Sequence, residues 1–497
     1  MSKLVLACDC GTTSLKAILA DENGAILAEV GESYSLSQPA AGWAEQSPTE
    51  IWAAITRAAR TVVGQAGADP ADVAGLVIAA TWKAIVPLDA DGAPLTEAMI
   101  WLDSRATEQA QRLNEAMGTF VGTGQEYWPR LMWLKENEPE VWDRARHVVG
   151  LNTYFKYRAT GTLVTEPSDD FFHAPDAVTQ ERYERTVAAA GLADDVGKFP
   201  PSRPSTAGVG TLTEAAAAEL GLTSATRVFN GFGDLPAITV GTGTARAGGV
   251  HIYLGSSSWL VRTVESGGSA GSAPLRFTMG ADFHGETYPL QTGCLAYDWA
   301  VEQLYRAEKE SLGPAVNDLV NREVAQIEPG AENLLATHWL SGELPPLGKN
   351  AKGLFLNLTG RHDRRHMVRA VMESICYTHR MSYEQYRAAG GPELPSIRVV
   401  GGGATSDVWM QMLADVLQVP VEIPEGPTHT GAMGAYYCGM VGLGRLRDYA
   451  AVADAVRIER RFHPDPAACA SYDRLFSVYT KLYPALREVF TELNGDY

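Results

Sequence analysis

The feature that most constrains this chain is a repeated local pattern, in which an apolar run, a glycine followed by three hydroxyl residues, and a second apolar run succeed one another. It occurs at Gly11-Thr12-Thr13-Ser14, between residues 3–9 and 15–20, and again at Gly255-Ser256-Ser257-Ser258, between residues 248–254 and 259–264. Each copy reads as a strand, a tight turn and a returning strand. The two glycines stand 244 residues apart in a chain of 497, so the economical reading is a duplication of a whole domain rather than of a small repeat. Length points the same way, because a single hydrophobic core stops growing near roughly 250–300 residues. The expected division is 1–245 and 246–497.

Composition narrows what such a pair of domains can do. With 45% hydrophobic and 20% charged residues the chain has enough apolar material for two cores and no signature of extended disorder. A formal net charge of -18 argues against nucleic acid or an anionic membrane as the main partner, since both call for a basic surface. A nucleotide is not excluded, because backbone N–H groups and a divalent cation can hold its phosphates. The six cysteines form no C-x-x-C pair and suit a reducing, cytoplasmic setting. Cys8 and Cys10, two apart in a strand, should share one face as small buried groups rather than a disulfide. No apolar run reaches the 18 or so residues of a membrane span.

The local pattern predicts an α/β arrangement with a mixed sheet in each half. A third strand is expected over 25–34, a helix from Ser47 with a Ser47/Glu50 capping box and Pro48 in its first position, and a buried strand over 73–80. Residues 105–200 read as an insertion decorating the first core. Residues 228–243 return to strand, glycine-rich turn and short helix. The second half should add a long helix over 364–388, a strand over 397–400, a glycine turn at 401–404, a helix over 406–418, a strand over 421–423, a small-residue helix over 431–441, and a last amphipathic helix over 472–493.

Three segments carry chemistry. In Asp9-Cys10-Gly11-Thr12-Thr13-Ser14 a tight turn exposes backbone N–H groups beside hydroxyls, so it can cradle phosphate oxygens, and Asp9 at the strand end can hold a magnesium ion or its water. A plain hairpin turn uses the same residues, and the second copy at Gly255 favours phosphate. Gly401-Gly402-Gly403-Ala404 lies between a strand and a helix and suits a flat ligand against bare backbone; it also admits a dinucleotide reading and a purely structural one. Asp234, in Asn230-Gly231-Phe232-Gly233-Asp234-Leu235-Pro236-Ala237, is placed at the mouth of a strand as a base that aligns and deprotonates an attacking hydroxyl, with a helix N-cap as the alternative.

Together these segments resemble the FGGY carbohydrate kinases, of the xylulokinase branch above all. The resemblance runs through ACDCGTTSLKA at 7–17, GWAEQSPTEIW at 42–52, VPLDADGAPL at 86–95, IWLDSRA at 100–106, LMWLKENEPEVW at 131–142, NGFGDLPA at 230–237, YLGSSSW at 253–259 and VVGGGATSDVWMQMLADVLQVPV at 399–421. It implies two ribonuclease H-like, actin-type domains around a central cleft, the first carrying the sugar side and the second the adenosine side. It implies ATP and Mg2+, a small sugar or polyol as partner, and, as in many members, a homodimer. By resemblance Asp9 serves the metal, Gly11, Thr12, Thr13 and Ser14 form the first phosphate loop, and Gly255 and Ser256 the second. Gly293, Gly402, Gly403 and Ala404 face the adenosine, and Asp234 is the base.

The sugar side departs from the pattern. Where many xylulokinases carry Gln-Met-His-Gly, this chain has Thr81-Trp82-Lys83-Ala84. Trp82 and Lys83 are expected to line the sugar pocket, and Asp103 and Arg105 to bind hydroxyls or hold one another. Leu235 follows the base where Asn or Gly is familiar, and the second loop lacks the usual Thr and Gly. The expected reaction is D-xylulose with ATP to xylulose 5-phosphate. Gluconate, another ketose or a polyol are the alternative substrates, and an actin-like ATPase, an NAD-dependent oxidoreductase and a sugar-binding protein without transfer are the alternatives of other classes.

Overall fold

The computed structural model describes residues 3–172, 177–265, 275–278, 283–344 and 347–495. The first half builds a seven-stranded sheet from β1 (Leu4–Cys10), β2 (Ser14–Ala20), β3 (Ile26–Ser33), β4 (Val73–Ala80), β5 (Gly208–Thr211), β6 (Arg227–Phe229) and β7 (Phe232–Gly233). The second builds another from β8 (Val250–Leu254), β9 (Ser258–Glu265), β10 (Leu275–Thr278), β11 (Phe283–Leu290), β12 (Ile397–Val400), β13 (Val421–Pro424) and β14 (Ile458–Phe462). The strand orders are β3-β2-β1-β4-β6-β5, with β7 also on β4, and β10-β11-β9-β8-β12-β13-β14.

The two paths share a motif with the same hands of pairing. In each, the opening hairpin is antiparallel, a third strand adds antiparallel to its outer edge, and two later strands join parallel on the inner side. The duplication expected from the hydroxyl turns is therefore a duplication of topology.

Around the sheets lie α1 (Pro48–Gln65), α2 (Tyr127–Asn137), α3 (Leu151–Thr160), α4 (Asp234–Gly241), α5 (Cys294–Leu304), α6 (Val316–Val324), α7 (Arg364–Ala388), α8 (Asp407–Leu417), α9 (Thr430–Gly442), α10 (Pro466–Tyr479) and α11 (Leu482–Asn494). Because side chains alternate along a strand, β1 serves two cores. Leu6, Cys8 and Cys10 face α1, whose Ile51, Ile55, Ala58 and Val62 recur at helical spacing, while Val5 and Ala7 face α4 and α9. Cys8 and Cys10 are free and buried. The α4/α9 cluster also takes Trp259, Val261, Phe277 and Val400 from the second sheet, so one apolar core joins the two lobes. A separate cluster of Ile85, Met99, Leu113, Trp128 and Leu131 serves the 105–200 insertion.

Helices α4 and α9 approach closely because each carries glycine at the contact. A Cβ on Gly434 would stand 1.8 Å from the carbonyl oxygen of Ala237, and one on Gly241 2.0 Å from that of Thr430.

Three local expectations are corrected. Ser47 precedes α1 without a capping bond: its Oγ pairs with Thr49 Oγ1 at 3.1 Å, and Glu50 reaches sideways to accept from Ser35 N and Oγ, at 3.1 and 3.2 Å, instead of back toward the helix start. The single helix expected over 472–493 is two, broken between Tyr479 and Leu482, because Pro484 has no N–H for Thr480 and its ring crowds that carbonyl. Asp234 stands directly after β7, at the strand mouth as expected, but it is not the cap: Gly233 is the cap and Asp234 the first residue of α4.

Candidate active site

Strand register sets the floor of the cleft. Asp9 sits opposite Lys16 on β2 and beside Ala79 on β4, and β7 joins the other edge of β4 with Phe232 beside the same Ala79. Asp234 follows directly, so the two carboxylates rise about two strand spacings, or about 10 Å, apart. Both are partly accessible through the cleft but otherwise walled by protein. Burial pushes the Asp9 carboxyl up to about 6 against the pull of Lys16. Burial, and then the charge of Asp9, push Asp234 up to about 7, while the amides of Leu235, Trp82 and Asp234 itself pull it back. The Leu235 amide donates to Asp234 Oδ1 at 2.9 Å. A carboxyl that titrates near neutrality is suited to accepting a proton from a hydroxyl.

The first hairpin closes through Gly11 N–H on Ser14 O at 2.9 Å. Its carbonyls are tied away from the cleft: Tyr34 donates to Gly11 O at 2.6 Å and Gln46 Nε2 to Thr12 O at 2.7 Å. The amides of Thr12 and Thr13 donate to no backbone carbonyl among the described residues. The second hairpin is built alike. Gly255 O and Ser256 O accept from Cys294 N and Gly293 N, at 2.7 and 3.0 Å, and the Ser256 and Ser257 amides are likewise uncommitted to backbone. Each turn thus keeps donors spare for an anion.

The glycine turn at 401–404 packs onto the second hairpin. Gly401 has φ +98°, where side chains are disfavoured, and its Cβ would lie 2.5 Å from Leu254 O; a Cβ on Gly403 would lie 2.5 Å from Leu254 Cδ2 and 3.2 Å from Cys294 Sγ. Gly402 faces open space. Residues 254–258, 293–294 and 401–404 are therefore contiguous. Farther along α5 a cavity of about 300 Å3 opens between Asp298, Val301, Lys309, Pro314 and Asn317. The two hairpins also face a common space: the Tyr253 phenol, beside the second turn, is pushed well above its usual range by burial and then by the nearby carboxylates of Asp9 and Asp234 on the first lobe.

Trp82 and Lys83 are both buried beside Asp234, so Lys83 is not the solvated residue that surface lysines usually are. Trp82 Nε1 donates to Ser168 O at 2.6 Å, and its ring stacks toward Phe171, centroids 6.3 Å apart. Lys83 has φ +61°, costing about 1–2 kcal/mol for a side-chain residue, and is held there from both ends. Asp169 Oδ1 accepts its N–H at 3.0 Å, Arg130 Nη2 donates to its carbonyl at 2.6 Å, and its Nζ pairs with Glu126 at 2.5 Å. Asp103 and Arg105 hold one another: Arg105 Nε reaches both Asp103 oxygens at 2.9 Å, its Nη2 also pairs with Glu45, and its guanidinium lies 3.5 Å over Trp43. Two residues before Asp103, Trp101 Nε1 donates to Thr12 Oγ1 at 3.2 Å, so this segment braces the first hairpin.

Sequence reasoning missed the loop Glu166–Asp170, which lies in the insertion. Ser168 Oγ accepts from Gly233 N at 3.0 Å and donates to Glu166, while its carbonyl holds Trp82 and the next residue holds Lys83. One loop thus fixes the residue before Asp234 and both pocket residues. Below it Lys156, which burial draws downward, donates to Asn230, and burial raises Glu166 and Asp169. The only legible signal was Asn230 itself, next to the Asp234 segment.

Within the described residues no cluster of three or more His, Cys, Asp or Glu could enclose a metal ion. The donor set fits a magnesium ion that arrives on phosphates and meets one protein carboxylate: the lysine beside Asp9, Lys16, has its Nζ tied to Thr428 O at 2.7 Å, and Asp9 faces bare Gly431 backbone.

Residues 4–241 match the N-terminal domain, and residues 289–443 the C-terminal domain, of the FGGY family of carbohydrate kinases. The chain is 28% identical to the xylulose kinase of Bacillus subtilis (strain 168), over 99% of both chains. It is 25% identical to the gluconokinase of Bacillus licheniformis, over 99% of this chain and 98% of the other. Among solved structures, the ligand-bound xylulose kinase from Lactobacillus acidophilus superposes with a TM-score of 0.86 at 22% identity, covering 99% of this chain and 100% of that one. The gluconate kinase from the same organism superposes with a TM-score of 0.85 at 21% identity, with the same coverage.

Proposed function

The chain belongs to the FGGY family of carbohydrate kinases and so uses ATP to phosphorylate a sugar; we propose that the sugar is D-xylulose, that the product is xylulose 5-phosphate, and that Asp234 is the base. The observation that carries this reading is the convergence of both donor-rich hairpins, Asp9 and Asp234 on one cleft. The N-terminal half, 1–245, supplies the sugar side and the base, and 246–497 the adenosine side. Gly11, Thr12, Thr13 and Ser14 take one end of the triphosphate and Gly255 and Ser256 the other. Gly293, Gly402, Gly403 and Ala404 take the adenosine, with the base directed to the cavity along α5.

Asp9 would hold magnesium, which when bound neutralises phosphate charge. The chain's own work is positioning: the loop Glu166–Asp170 sets Trp82 and Lys83 as pocket walls, and Asp234 orients the attacking hydroxyl and takes its proton. Asp103 and Arg105 serve through the brace on the first hairpin.

Between a neutral sugar and a sugar acid, the cations on offer decide. Lys83 pairs with Glu126 at 2.5 Å and Lys156 is fully buried on Asn230 beneath the loop, so neither lysine is presented to a substrate carboxylate. A coupled ADP-release assay over D-xylulose, L-xylulose, ribulose, gluconate, glycerol and erythritol tests this, with the highest kcat/KM expected for D-xylulose. Preference for gluconate would overturn the substrate, and ADP release indifferent to every sugar would overturn the kinase reading.

A further inference from the structure

Beneath the second hairpin lies a cluster of polar side chains that the reading above does not use. Ser258, His338, Glu343, Ser374 and His379 are each no more than 3% exposed, in the interior of the second lobe. Burying so many polar groups is unfavourable unless they bond to something. Their bonds run to the two loops that face the cleft.

Ser258 Oγ donates to Tyr253 O at 2.5 Å and lies 2.7 Å from His379 Nε2 on α7. With its own hydrogen spent on Tyr253, the serine accepts from Nε2–H, which fixes the tautomer. His379 Nδ1 is then a bare acceptor, and it meets no partner among the described residues. Burial and the nearby His338 hold the ring neutral, drawing its pKa down to about 3. Glu343 Oε1 accepts from Gln291 N at 2.6 Å and Leu344 N at 2.9 Å. Its other oxygen lies 3.3 Å from His338 Nε2 without hydrogen-bond geometry, and His338 Nδ1 lies 3.1 Å from Ser374 Oγ, again on α7. The hairpin 255–258 is thus tied to α7 through His379, and the turn 291–293, held by Glu343, bonds to that hairpin.

We propose that His379 and Glu343 are positioning residues for the nucleotide: they fix the second phosphate hairpin and the Gly293 turn in the binding arrangement before ATP arrives. The inference rests on the kinase reading and goes beyond it, because neither residue touches the cleft. It separates the two substrates, since neither side chain bonds to the sugar-side residues.

The test uses the full-length protein and three variants, His379→Leu, His379→Gln and Ser258→Ala, with ATP affinity by calorimetry, KM for each substrate and thermal melting. His379→Leu should raise the Kd and KM for ATP about tenfold, equivalent to about 1.4 kcal/mol, with the sugar KM within about twofold. His379→Gln keeps an N–H donor near the Nε2 position and should recover most of the loss. Should His379→Leu fail to fold, Ser258→Ala carries the same expectation. Folded variants that bind ATP as the wild type does, whatever their melting temperature, would reduce the cluster to core packing. A wild-type protein that binds no ATP would remove the kinase reading and this inference together.

Discussion

At the scale of single residues, Asp234 combines a functional gain with a cost in stability. Its folded pKa near 7 compares with about 4 for an unfolded aspartate, so between those values the native state keeps a proton that the unfolded state has released. Stability contributed at this position is therefore present at low pH, falls as pH rises through that window, and is lost above about 7. Two outcomes follow for Asp234→Asn. Turnover should fall by about 10²–10⁴-fold with ATP binding retained, the range a general base supplies. The melting temperature at neutral pH should rise, by about 1 °C if about 1 kcal/mol is recovered in a single cooperative unit of this size. For the wild type, kcat/KM should climb with pH through about 7, a limb absent from the variant's residual rate; undiminished turnover by Asp234→Asn would remove it from the mechanism.

The residues that the sequence disclosed and those it hid differ in a physical way. Asp9 and the hydroxyl turns can be read locally, because a turn needs Gly and hydroxyls in succession; the local sequence of Asp234 suits a cap as well as a base, and only the family resemblance points to the base. Ser168 and Asp169 act through partners 65 and 86 positions away, Gly233 and Lys83, so no local pattern marks them. Asp103 and Arg105 were legible as a unit, though not as a brace acting through Trp101.

At the scale of elements, the strands and most helices were readable from periodicity, because both faces of each sheet are buried and the runs are bounded by turns. Misreadings came where a side chain chose a tertiary partner, as Glu50 chose Ser35. The α4/α9 contact offers a sharper test. Gly434→Ala puts a methyl 1.8 Å from the Ala237 carbonyl, and overpacking of this kind destabilises by about 1–3 kcal/mol, visible as an earlier denaturant midpoint. Gly64→Ala, near the end of α1 with nothing within 4 Å, should instead stabilise by up to about 1 kcal/mol. Equal effects at the two positions would mean the close approach is not obligatory.

At the scale of the molecule, the lobes are joined by shared core as well as by chain. Helix α9 comes from late in the sequence yet lies on the first sheet: Gly439 stands over Val5 and Val77, and Gly442 packs on Phe229, where a Cβ would lie only 2.4 Å from the ring. Its first turn brings Gly431 against Asp9. Unfolding by denaturant should accordingly show both lobes melting in one transition, followed by tryptophans placed in each, Trp52 and Trp339. During synthesis, the ribosome will have released the whole of the first lobe long before the segment that roofs it emerges. The nascent amino-terminal half must wait with Val5, Ala7, Val77 and Phe229 uncovered, and a polypeptide ended at residue 245 should be captured by chaperones or aggregate until residues 430–442 are supplied.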